Sequence, residues 1–199
     1  MAKRLPADVQ KIINSQSPKL LRKEFEMIVR KEFLIIKNQL IQEFLNHPVT
    51  KEIQDGPNAS NTSGTLGGQG NLFSFIGFFD GTDPIKDILN IFESMEVYFT
   101  KNIDSGSLFT INFPEPKDIF AVTPMPWATG RSWAKGIESG ISGLGYYLFI
   151  DSPKSRSGEA VQVDGKINVG KFKNTKYISA LLTKYKKQIT NLYDRTIPT

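Results

Sequence analysis

From Ser17 to Asn46 the chain places apolar side chains at Leu21, Phe25, Ile28, Phe33, Ile36, Leu40 and Phe44, chiefly four residues apart. That recurrence follows one face of an α-helix, and Val29 and Ile41 widen the face. Ser17 suits the N-cap and Pro18 the first helical position. His47-Pro48 marks the end, because the residue before proline is pushed out of the helical region. The pattern predicts a helix of about 28 residues, roughly 40 Å long at 1.5 Å per residue. Leu20, Met27, Leu34, Ile35 and Leu45 add apolar positions around it. So broad a stripe on so long a helix implies contact on more than one side, part of it with a second subunit. The competing expectation is a central core helix wrapped by a sheet.

A chain of 199 residues, 39% of them hydrophobic, can bury a core without disulfide or metal support. It contains no cysteine, which excludes thiolate metal sites and thiol nucleophiles. Its longest apolar runs fall well short of the roughly 18 to 20 residues of a membrane span, and no membrane contact is expected. Met1 to Asp8 carries charge with no apolar region behind it, unlike a secretory signal, so assembly in a cytoplasm is expected. Residues 1–16 read as a basic, proline-containing arm with an apolar patch at Val9, Ile12 and Ile13. Residues 17–199 read as one α+β domain.

Beyond the first helix, Asp55 to Gly70 is a loop of glycine and small polar residues with little capacity to bury surface. It is expected to become ordered only against a partner. Asn71 to Phe79 is rich in aromatics and reads as a buried strand. Thr82 or Asp83 caps a second helix beginning at Pro84, with Ile85, Ile88, Leu89 and Phe92 inward. Val97–Ile103 and Leu108–Phe113 flank Asp104-Ser105-Gly106-Ser107 and form a β-hairpin. Lys117 to Val122 makes a short helical turn. Gly145–Ile150 and Ala160–Val163 read as strands. A closing helix from about Asn174 to Tyr193 turns Ile178, Leu181, Leu182, Tyr185, Ile189 and Leu192 inward. The expected architecture is a long N-terminal helix and a C-terminal helix packed on a small antiparallel sheet.

Pro124-Met125-Pro126-Trp127-Ala128-Thr129-Gly130-Arg131-Ser132-Trp133 is followed by the glycine-rich run Gly140-Ile141-Ser142-Gly143-Leu144-Gly145 and the apolar Tyr146-Tyr147-Leu148-Phe149-Ile150. Thr129-Gly130 reads as a turn, with a strand beginning at Arg131. This order resembles the Pro-x-x-Thr-Gly-Arg signature of neck and tail-completion proteins of tailed bacteriophages, the group that includes the minor tail protein Z family. The resemblance covers Pro124 to Val163. It departs from the family pattern at Ser132, where an aliphatic residue is usual, and in the insertion from Asp55 to Phe79. It implies a non-catalytic structural protein of the virion neck or upper tail, without cofactor. It further implies a homo-oligomeric ring of six subunits around a DNA channel, in contact with other neck, connector and tail proteins. The segment after Ser132 would be a strand in the family, whereas Ser132 itself suits the cap of a short helix.

Several motifs have an ordinary structural explanation. The glycines of Gly64 to Gly70 lead toward an apolar segment with no Gly-Lys-Ser/Thr, which argues against a phosphate cradle. His47, the sole histidine, is placed to satisfy carbonyls at a helix end. Asp80, Asp83 and Asp87 match no calcium-loop spacing and suit helix capping. Ser139-Gly140-Ile141-Ser142-Gly143 lacks the spacing of a nucleophile elbow. The candidates for partner contact are therefore Trp127, Thr129, Gly130, Arg131 and Trp133, with Arg131 able to stack between the indoles or to clamp its own turn.

Charge supplies the remaining candidates. Between Lys154 and Lys187 nine basic residues face two acidic ones, a net +7 in a chain whose total is +5. Such asymmetry suits a phosphate-facing or acidic partner, and equally a solvated lysine-rich face. Lys184 and Lys187 are the residues expected to meet channel DNA or a neighbouring ring. A basic nucleic-acid-binding module is the alternative to the neck protein.

Overall fold

The computed structural model describes residues 7–68, 70–103, 106–140, 148–150, 160–162 and 172–195, with side chains described at 22–68, 70–103, 107–140 and 172–192. It is an α+β protein. Helix α1 spans Ala7–Asn46, 40 residues, or about 60 Å at 1.5 Å per residue. It starts upstream of Ser17, so Ser17-Pro18 lies inside the helix and not at its first turn. Residues 7–16 continue α1 instead of forming a separate arm.

The stop at His47 is as expected, with a different role for the imidazole. His47 is extended (φ −64°, ψ 134°) and caps the next helix, α2 (Pro48–Gln54). Its Nδ1 accepts the Val49 N–H at 3.2 Å. The side chain thus serves the start of α2 and not the last carbonyls of α1.

Asn71 to Phe79 is not a strand. It contains helix α3 (Leu72–Ile76), capped by the Asn71 side chain, which accepts the Ser74 N–H. Gly77 ends it at φ +87°, its N–H reaching the Phe73 and Ser74 carbonyls, and the Phe78 N–H also returns to Phe73. This is glycine termination of a helix, and it overrides the β-propensity of the aromatics. Leu72, Phe73 and Ile76 share the inward face at helical spacing. A Cβ on Gly77 would lie 3.2 Å from Trp127 Cδ1, so a side chain there would also press on the indole.

Helix α4 (Lys86–Glu93) buries Ile88 and Phe92, with Ile85 and Met95 buried at its ends. Asp83 Oδ1 accepts the Ile85 N–H at 3.3 Å, while the helix itself begins later than Pro84. Lys37 from α1 donates to the Glu93 and Met95 carbonyls at 2.5 and 3.1 Å, satisfying groups at the C-terminal end of α4. The expected hairpin is present as β1 (Val97–Ile103) and β2 (Gly106–Ile111), antiparallel, with an irregularity between Phe99 and Lys101. Arg22 of α1 lies 3.7 Å over the Phe99 ring, so the hairpin runs along the helix well toward its N-terminal part.

Next come α5 (Pro116–Ala121), the two strands β3 (Pro124–Met125) and β4 (Ala128–Ser132), and α6 (Trp133–Ser139). Strands β5 (Leu148–Ile150) and β6 (Ala160–Gln162) pair antiparallel where strands were expected, and α7 (Ile178–Arg195) closes the order. Among the described residues the six strands form three separate two-stranded pairs rather than one sheet.

One core joins the helices with the β1–β2 and β3–β4 pairs. Phe44 of α1 meets Phe92 edge-on at 5.3 Å and stacks with Tyr177 at 6.0 Å. The inward face of α7 is as the sequence predicts: Ile178, Leu181, Leu182, Tyr185 and Leu192 are buried and Ile189 packs at the edge.

The glycine-rich loop is built around a buried carboxyl group. Glu52 of α2 is fully buried. Its oxygens accept the Leu72 N–H at 2.7 Å, the Ser63 N–H at 2.9 Å and Asn61 Nδ2 at 2.8 Å. Asn61 Oδ1 in turn accepts the N–H groups of Leu66 and Gly68, both at 3.1 Å. The Lys173 N–H donates to the Thr65 carbonyl at 2.9 Å. The expectation that this loop orders only against a partner is corrected: polar groups of one chain hold it, a route to order that apolar burial does not measure.

Candidate functional site

The Thr-Gly-Arg segment sits in an irregular hairpin. Met125 pairs with Ala128 and Pro124 with Ser132. One step along β3 therefore corresponds to four along β4, and Thr129, Gly130 and Arg131 bulge out of the pairing. All three are exposed, and Gly130 has φ +75°. The turn itself falls at Pro126-Trp127, three residues before the Thr129-Gly130 position expected from composition.

Both ends of the bulge are anchored. Trp127 Nε1 donates to the Ile76 carbonyl at 2.7 Å, while part of its ring remains exposed. At the other end Thr123 and Ser132 hydroxyls meet at 2.7 Å, and the Trp133 N–H donates to the Thr123 carbonyl at 2.8 Å. Ser132 also accepts the Lys135 N–H and caps α6, so the segment after it is a helix and not the strand of the resembled family.

Trp133 is a core residue, 1% exposed, meeting Phe78 edge-on at 5.8 Å. This corrects its place among the contact candidates. Trp127 is tied to a backbone carbonyl through its Nε1, and Trp133 lies in the core. Arg131 is presented on the surface of the bulge. Beside the hairpin, an open cleft of about 310 Å³ has Phe78, Phe79, Pro84, Pro124 and Pro126 in its lining together with Asp83 and Asp87. Phe79 is 63% exposed. Sequence reasoning assigned Phe79 to a buried strand, and only the Gly77 turn that ends α3 explains why it faces outward.

The two lysines of α7 have different surroundings. Lys184 Nζ lies 2.5 Å from Glu43 Oε2 of α1, and the Tyr185 hydroxyl donates to the same oxygen at 2.6 Å. The Lys184 ammonium, with Tyr185 second, holds the Glu43 carboxyl below its ordinary range. Burial, reinforced by Glu43, pushes the Tyr185 phenol up. Lys184 is thus engaged in joining α7 to α1, whereas Lys187 is exposed, as are Lys173, Lys176 and Lys186. Lys176 precedes α7 and so cannot share a helical face with Lys184 and Lys187. Lys166 and Lys171, counted in the basic segment, lie outside the described residues.

Among the described residues no group of three or more His, Asp or Glu side chains could hold a metal ion, and no helix is long and apolar enough to cross a membrane. Glu138 serves the fold, accepting the Ser179 N–H at 2.6 Å and the Ser179 hydroxyl at 2.5 Å at the first turn of α7. No family model matches the chain, and the searches of curated proteins and of solved structures likewise return no match.

Proposed function

We propose that this chain is a structural protein of a tailed-bacteriophage neck, one subunit of a ring that completes the connector or tail and joins head to tail. It acts through protein contacts and without catalysis or a cofactor. The observation that carries this reading is the Thr129-Gly130-Arg131 bulge, which places the residues of the resembled signature outside the strand pairing and at the surface, with anchors on both sides. A short exposed segment on a fixed base suits a repeated contact between subunits, because little ordering entropy is lost when it docks. Six subunits and a DNA-containing channel follow from the resemblance.

A basic nucleic-acid-binding module is the second reading, favoured by the exposed Lys173, Lys176, Lys186 and Lys187. Complementation distinguishes the two. Particles produced with Arg131→Ala should accumulate heads and tails that fail to join, while the purified variant keeps its fold by circular dichroism. Normal joining in particles lacking the whole protein would overturn the neck assignment. Tight duplex-DNA binding by the free chain, falling steeply as salt rises, would favour the basic module instead.

A further inference from the structure

We infer that two copies of this chain pair through the outer face of α1, antiparallel, about a twofold axis passing between Met27 and Ile28. The inference does not rest on the neck reading. It starts from the two sides of one helix. Phe33, Ile36, Leu40 and Phe44 face the core, whereas Met27, Ile28, Leu34 and Ile35 are 65%, 49%, 51% and 43% exposed. At 100° per residue those four lie together on the side opposite the core face. Four large apolar side chains in one stripe differ from the scattered exposed residues normal for a protein surface.

The polar residues within the stripe select the partner and its direction. Glu24 and Lys31 lie on its midline, one turn to either side of Met27 and Ile28, and both are exposed. Their neighbours Glu26 and Arg30 satisfy each other at 2.9 Å. Among the described residues neither Glu24 nor Lys31 is in an ion pair. A parallel second copy would set Lys31 against Lys31 and Glu24 against Glu24. An antiparallel copy sets Glu24 of each chain against Lys31 of the other, with Met27 and Ile28 gathered about the axis.

The extent of the stripe fits the same arrangement. In this register Leu34 and Ile35 of one copy meet positions 20 and 21 of the other, which are leucines in the sequence. Beyond Ile35 the outer face turns polar at Asn38 and Gln42. The self-complementary stretch therefore ends where the paired segment ends. A contact of this symmetry is satisfied by two chains, because each patch is occupied by its own copy.

The absence of cysteine makes the test direct. Under mild oxidation Ile28→Cys should cross-link into a dimer almost completely. Gln39→Cys, exposed but well away from the axis, should not. By light scattering the unmodified chain should be dimeric at micromolar concentration. Glu24→Lys and Lys31→Glu should each weaken the dimer about tenfold or more, since each change acts twice in a twofold contact. The double exchange should restore it. A chain that stays monomeric throughout, a double exchange that remains as weak as the single variants, or cross-linking at Gln39→Cys without Ile28→Cys would each overturn the proposal.

Discussion

Two regions of this molecule handle polarity in opposite ways. The region around α2 and the glycine-rich loop takes a carboxyl group fully out of water and surrounds it with donors. The outer length of α1 leaves large apolar side chains in water. The first is complete within one chain, for among the described residues no buried side-chain nitrogen or oxygen lacks a hydrogen-bond partner. The second is completed only by something added. Internal satisfaction of polar groups marks a region as structural, and apolar surface left over on a regular helix marks it as a place for contact.

The largest expected effect tests the first half of that contrast. Glu52→Ala removes the acceptor for two backbone N–H groups and for Asn61, and should destabilise the fold by about 3–5 kcal/mol in urea unfolding. Glu52→Gln keeps one acceptor oxygen and should cost less than the alanine change. A loss below ~1 kcal/mol for Glu52→Ala would show that the loop does not depend on this carboxyl group.

Two leucines six residues apart on α1 sharpen the comparison. Leu40 is fully buried and Leu34 is 51% exposed. Leu40→Ala should cost about 2–5 kcal/mol, through lost burial and the cavity left behind. In the isolated subunit Leu34→Ala should stay within about 0.5 kcal/mol. Equal costs measured at concentrations where the chain is monomeric would erase the distinction between the two faces.

The smallest effect concerns the junction between α1 and α2, and it depends on pH. Burial holds the His47 imidazole below its ordinary value, with Glu43 opposing that shift. Nδ1 must also be unprotonated to accept the Val49 N–H. The contribution is therefore complete above about pH 6.5, the unfolded value, and is lost as pH falls through the lower folded value. Glu43, also lowered, behaves likewise below about pH 4.5, so its window is separate. His47→Ala should cost ~1 kcal/mol at neutral pH, whereas His47→Asn should retain the cap. Comparing urea midpoints near pH 7.5 and pH 5 should show wild-type stability falling and the asparagine variant less affected. Equal slopes would separate the cap from the pH response.

Much of the fold was legible where one periodicity had a single outlet. The inner face of α7, that of α1 from Phe33 to Phe44, the end of α1 before Pro48 and the β1–β2 hairpin followed from spacing and turn residues, whereas Ile28, counted on the same stripe of α1, is exposed on the side away from the core. The start of α1 was misread because a serine-proline pair that suits a first turn also lies within a longer helix. At Leu72–Ile76 a run of aromatics signalled a strand, while Asn71 and Gly77 carried the competing helix signals. For the candidate site, exposure of Thr129, Gly130 and Arg131 required the bulge between two paired positions, which no local spacing reveals. Trp133 looked like a contact residue from its neighbours in sequence, but its surroundings come from Phe78, far away along the chain.

The sequence by itself determined the helical faces, the cysteine-free chemistry, the uneven charge and the excess of apolar residues on α1, because each is a property of composition or of short-range periodicity. Only the tertiary structure decided that Ile28 faces away from the core, that Lys184 is engaged by Glu43 while Lys187 remains exposed, and that Glu52 organises a loop of small polar residues. Those outcomes depend on groups brought together from distant positions, where desolvation and hydrogen bonding are set by neighbours in space and not by neighbours in the chain.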